Sequence, residues 1–135
     1  MLKIKPRTWA AFILQGNDLN PDEVSELLGV KPDFSIHKKL HNLQSQESRP
    51  HWQLNSSLSP EASIEEHFYN ILKKLAPSRS KLKELTAKLE AVFYASVEFS
   101  SMEVDGIRLE PRLLLLLGDL GIHLEILPWL EESGG

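Results

Sequence analysis

An α+β fold is predicted for this 135-residue chain, with a ferredoxin-like βαββαβ order extended by one further α-β pair. Two segments, 20–29 and 63–77, carry amphipathic spacing between clear start and stop signals and read as helices. Segment 88–100 alternates apolar and polar residues, as a strand with one buried and one wet face does. Placed in chain order with the weaker segments, these give a mostly antiparallel sheet with helices packed on one face. The expected organisation is one compact domain over 1–130 and a frayed tail at 131–135.

The first strand is RTWAAFILQ (7–15), an apolar run whose two faces are both greasy, which predicts a central strand covered on both sides. In NPDEVSELLG (20–29), Asn20 is the N-cap and Pro21 occupies the first helical position, where its missing N–H costs nothing. Glu23 is placed to close a capping box, Val24, Leu27 and Leu28 form the buried stripe, and Gly29 ends the helix in a left-handed conformation. DFSIHKK (33–39) sets Phe34 and Ile36 on one face, and HWQLNSS (51–57) sets Trp52 and Leu54 on another. These read as an antiparallel pair joined by a long loop over 40–50.

In the second helix Ser63 caps and Glu66 completes a capping box, with Ile64, His67, Phe68, Ile71, Leu72 and Leu75 on the buried stripe and Pro77 as the stop. A shorter helix follows over 78–87, burying Leu82 and Leu85. In the strand at 88–100, Leu89, Ala91, Phe93, Ala95, Val97 and Phe99 face inward, while Glu90, Val92, Tyr94, Ser96 and Glu98 face water. PRLLLLLGDLG (111–121) is a further helix opened by Pro111 and closed by Gly121, and IHLEILPW (122–129) is a last strand. Its Pro128 places it at a sheet edge or ends it there.

Composition narrows the function classes. The chain contains no cysteine, which removes disulfides, thiolate metal sites and thiol catalysis. It fits a reducing, cytoplasmic setting. Net charge is −4, divided as +1 over residues 1–60 and −5 over residues 61–135. Nucleic-acid affinity rests on neutralising phosphates, so an acidic chain is a poor candidate for it. The longest apolar runs fall well short of the ~20 residues of a membrane span, and no signal peptide is evident. The chain therefore reads as soluble and unexported.

Three histidines, two lysines and an arginine crowd into IHKKLHNLQSQESRPHW (36–52). His37 and His41 have the i, i+4 spacing of a metal pair, but Lys38 and Lys39 stand between them and would repel a cation. Lys38, Lys39, Arg49 and His51 suit an anion or an acidic partner better. His67 with Glu66 is the alternative site. A general base needs a nucleophile and an orienting partner in reach, and the sequence identifies neither, so His67 reads first as a hydrogen-bonded core histidine. Glu65, Glu66, Glu90, Glu98, Glu103 and Asp105 read as wet-face charges. No glycine-rich phosphate loop and no cofactor motif is found, and no catalytic residue, metal site or cofactor is assigned.

GNDLNPDEVSELLGVKP (16–32) resembles the opening signature of a bacterial family of domains of unknown function, number 4279. Trp52-Gln53-Leu54, Glu66-His67, Leu109-Glu110-Pro111 and Leu120-Gly121-Ile122 follow in that family's order. The resemblance spans roughly residues 8 to 127 and implies a single compact α/β bacterial domain, with no catalytic set to carry over. The family's loop before the tryptophan strand often contains Lys-Gly; this chain has HKKLHNLQSQ there, without glycine.

The functional expectation is a non-enzymatic protein-interaction module. It would use the 37–51 loop or the open sheet face, and an immunity-like role is one concrete form. The alternative is a small-ligand-binding, sensor-like domain, with a hydrolase built on His67 third. A protein partner is expected, a homodimer is compatible, and neither membrane nor nucleic acid is expected to take part.

Overall fold

The computed structural model describes residues 7–37, 49–98 and 106–129. In chain order these form β1 (Thr8–Gln15), α1 (Pro21–Leu28), β2 (Phe34–Ile36), β3 (His51–Asn55), α2 (Ile64–Leu75), a 3-10 turn (Ala76–Ser78), α3 (Arg79–Thr86), β4 (Glu90–Glu98), α4 (Pro111–Leu120) and β5 (His123–Trp129). The fold is α+β. Its five-stranded mixed sheet has the order β2-β3-β1-β4-β5.

Local chemistry sets the helix ends. The Asn20 carboxamide accepts the N–H groups of Asp22 and Glu23, and Gly29 ends α1 at φ 68°. The Asn20 cap forms as predicted; no reciprocal bond from Glu23 accompanies it among the described residues. At α2 both halves of the box form: Ser63 Oγ accepts from Glu66 N–H, and Glu66 Oε1 accepts from Ser63 N–H, each at 3.1 Å. Gly121 closes α4 at φ 73°, a conformation that costs side-chain-bearing residues about 1–2 kcal/mol. Among the remaining start signals, α4 is capped from a distance: Glu65 Oε2 on α2 accepts the Glu110 N–H at 2.6 Å.

Registry places the core. β1 lies antiparallel to both β3 and β4, aligning Phe12 with Leu54 and Phe93, and Leu14 with Trp52 and Ala91. These side chains meet the buried stripes of the helices. The Phe68 ring on α2 stacks on Phe93 at 4.6 Å and 13°, and Phe12 meets Phe93 and Trp52 edge-on. Trp52 and Leu54 are buried as their phase predicts, and the Trp52 indole N–H donates to Ser25 Oγ on α1 at 3.0 Å. All six predicted stripe residues of α2 are buried, His67 included. On α1 the buried set is Pro21, Val24 and Leu28, while Leu27 is only half-buried.

Two expectations are corrected. β1 is central but is not covered equally on both faces. Thr8, Ala10, Phe12 and Leu14 are buried, whereas Trp9 is 37% exposed and Ala11 and Ile13 are half-buried. The helices share one face of the sheet, and β1 turns its odd-numbered residues away from them. Val92, assigned to the wet face, is 1% exposed. It does point away from Phe93, but it is aligned with Ile13 on one side and His123 on the other, inside the sheet rather than at its margin.

β5 runs parallel to β4. Parallel neighbours need a crossover, and the segment containing α4 supplies it. Because β5 is an edge strand, Pro128 is tolerated there without an N–H.

Candidate functional site

The loop stretch is only partly a cluster. Lys38, Lys39 and His41 lie outside the described residues. His37 turns toward α1, with Nε2 at 3.2 Å from Asp22 Oδ1. Arg49 Nη2 donates to Glu90 Oε2 at 2.9 Å, and the same carboxylate oxygen accepts from Gln15 Nε2 at 3.1 Å. The Arg49 hydrogen bond holds the Glu90 carboxyl below the usual carboxylate range. His51 Nε2 shares a hydrogen bond with Gln53 Oε1 at 2.9 Å, and its ring meets Phe34 edge-on at 5.6 Å. Arg49 and His51 therefore already have partners within the fold, and neither converges with His37. Among the described residues no three His, Asp or Glu side chains come together as a metal ion would require.

His67 sits deeper. It is 1% exposed, on the buried stripe of α2, and its Nδ1 lies 2.6 Å from Ser56 Oγ in the segment after β3. Burial lowers its proton affinity from the ordinary value near 6.5, while the Glu66 charge and the Thr8 backbone act the other way. Nε2 is buried and meets no hydrogen-bond geometry among the described residues. The imidazole is thus held neutral and ties α2 to the end of β3. Ser56 is the partner that sequence reasoning missed: it lies eleven residues from His67, in a segment whose conformation no local signal fixes.

A serine and a histidine in reach of each other are the start of a nucleophile–base pair, which also needs a group orienting the far ring nitrogen. Glu66, the carboxylate nearest in sequence, spends Oε1 on the Ser63 N–H of the capping box. Ser56 Oγ also accepts the Leu58 N–H at 3.2 Å. The other acidic candidates are likewise committed. Glu65 caps α4, Glu90 holds Arg49, and Glu98 lies 4.0 Å from Arg7. Glu103 and Asp105 fall outside the described residues.

The sheet face turned away from the helices is the broader feature. Registry puts Phe34, Gln53, Ile13, Val92 and His123 in one row across it, Asn55, Ala11, Tyr94 and Glu125 in the next, and Trp9, Ser96 and Leu127 in the one after. Phe34 is 51% exposed, Trp9 37% and Leu127 48%. Arg7 lies over the Trp9 ring, 5.1 Å from its centroid. Side chains along β3 form a chain on the same face: His51 to Gln53, then Gln53 Nε2 donating to Asn55 Oδ1 at 2.7 Å. A cleft of about 370 Å³ opens here between Trp9, Tyr94, Asn55 and Leu127 and reaches Ser56 and His67.

The family model described as a domain of unknown function, DUF4279, matches residues 4–131. The chain belongs to the DUF4279 family. No curated protein and no solved structure matches it. Membership assigns no chemistry, so the function of this DUF4279 domain has to be argued from its surfaces. Among the described residues no helix is long and apolar enough to cross a membrane.

Proposed function

We propose that this DUF4279 domain is a non-enzymatic protein-interaction module that receives its partner on the sheet face opposite the helices. The observation that carries the reading is the exposure of Trp9 and Leu127 in one row of that face beside Tyr94 in the next, with Phe34 exposed on the same face at its β2 edge. Exposed apolar residues grouped within a polar rim are the usual signature of an interface, and aromatic side chains contribute most to such contacts. The cations bordering the face, Arg7 and Arg49, are matched by Glu98 and Glu90, so the reading favours a partner with complementary apolar groups over a strongly acidic one. An immunity-like role, neutralising a second protein by covering it, is one form this takes. The same reading treats β1 through β4 as a ferredoxin-like unit extended by α4 and β5, which the antiparallel order β2-β3-β1-β4 supports.

The test is a pair of charge insertions. Trp9→Glu with Leu127→Glu should weaken a reciprocally identified partner at least tenfold in calorimetric titration, while Arg49→Ala leaves it within about threefold. Unchanged affinity in the face variant would refute the assignment. A second reading, a small-ligand sensor, is favoured by the cleft that joins Tyr94 and Asn55 to the neutral His67. A saturable shift of the His67 ring resonances by a small molecule would support it.

A further inference from the structure

The opposite layer of the molecule carries a cavity that the sheet-face reading does not use. A groove of about 580 Å³ lies between α2, the 3-10 turn, α3 and α4. Its wall is built largely from Leu72, Leu75, Leu82, Leu116 and Leu120, with Tyr69 on the rim at 38% exposure. That volume falls within the roughly 300–1,000 Å³ of small-molecule sites, and an apolar lining with a few charged groups is their usual chemistry.

The charges are distributed unevenly along it. Lys73 and Arg79 are the cations of its lining. Arg79 Nη2 donates to Asp119 Oδ2 at 2.7 Å, and Lys83 Nζ lies 3.6 Å from the other oxygen of the same carboxylate. Lys73 has no ion pair among the described residues. The lining itself carries Lys73 and Arg79 against Glu66, and because Arg79 shares the Asp119 carboxylate with Lys83 outside the lining, Lys73 is its unmatched cation among the described residues. Glu66 lines the groove seven residues earlier on α2, about 10 Å away at ~1.5 Å per residue, with its Oε1 committed to the capping box.

The geometry points to a binding site for a small amphipathic carboxylate, an acyl chain lying along the leucines with its carboxylate at Lys73 and Arg79. Charge complementarity decides the polarity of the ligand, and the bounded volume decides its size. A chain of about eight carbons spans the roughly 10 Å of α2 between Glu66 and Lys73. A cationic amphiphile would place its charge against Lys73 and Arg79, and a neutral alcohol would gain only the apolar part of the interaction.

Octanoate, 1-octanol and octylammonium are the probes, titrated into the full chain with amide chemical shifts as the readout. Octanoate should give saturable shifts centred on Tyr69, Lys73 and Leu116, with octanol at least threefold weaker and octylammonium weaker still. Lys73→Glu should weaken octanoate by about tenfold, because the substitution turns a partly exposed attraction into a repulsion of similar size. Ala76→Trp, which fills the groove from an exposed position, should abolish the shifts. Spectra of both variants would establish that the fold persists. The assignment is overturned by octanol binding as tightly as octanoate, by Lys73→Glu staying within twofold of wild type, or by no saturable shift at the groove amides.

Discussion

Replacing Phe68 by alanine removes a ring that is 0% exposed and stacked on Phe93 at 4.6 Å. Phe93 also supports Phe12, which in turn meets Trp52, so the deletion opens a void at one end of a contiguous aromatic cluster. The loss combines the transfer free energy of the ring with the cavity left behind. For buried Phe→Ala changes that sum is about 3–5 kcal/mol, a large part of the ~5–15 kcal/mol that holds an ordinary domain together. The neighbouring Tyr69→Ala removes a ring of similar size that is 38% exposed, and should cost about 1 kcal/mol. Urea melts read by far-ultraviolet circular dichroism give both values from the midpoint and slope. Equal costs in the two variants, or a cost under about 1 kcal/mol for Phe68→Ala, would refute the helix face assigned here.

His67 is held below its ordinary protonation range by burial, so the unfolded chain takes up a proton at a higher pH than the folded one. Its contribution to stability should be complete above about pH 6.5 and lost as pH falls below it. Urea midpoints between pH 5 and 8 should show that decline, and His67→Leu should flatten it. Gly121→Ala should destabilise by about 1–2 kcal/mol, since its φ is 73° and a Cβ would sit 3.1 Å from Thr86 Oγ1. Gly29→Ala, equally left-handed but with nothing near its Cβ, should fall at the lower end of that range in the same melts. Ser63→Ala removes one half of the α2 capping box and should cost about 1 kcal/mol, seen as a lowered thermal midpoint.

Helices were the most legible elements. Asn20-Pro21, Ser63 with Glu66, and Pro111 with Gly121 announce their own ends, because caps are satisfied by residues within a turn of each other. The inward phase of Ala91, Phe93, Ala95 and Val97 was legible for the same kind of reason: alternation is a local property of a strand. Val92 was not, because its burial depends on the strands beside it rather than on its own neighbours in sequence. The double coverage expected of β1 failed on a similar point. Apolar residues on both faces of a strand show what it can tolerate, and the placement of the helices shows which face is covered.

The candidate sites divide the same way. His67 was identified as a buried histidine from its place on the α2 stripe, but Ser56 became its partner only when β3 returned beside α2. Arg49 was identified as a local cation, yet its pairing with Glu90 joins positions forty-one residues apart. Neither the sheet-face patch nor the leucine-lined groove is written in any single segment.

What the sequence determined by itself is the set of main elements, the helix caps and the inward phase of the amphipathic segments, since these follow from hydrogen bonds and periodicities that operate over a few residues. What only the tertiary structure decided is the order β2-β3-β1-β4-β5, the parallel seating of β5, and the surfaces that result. Those depend on which elements meet across long stretches of chain, and burial in the shared core, rather than any local preference, selects the arrangement.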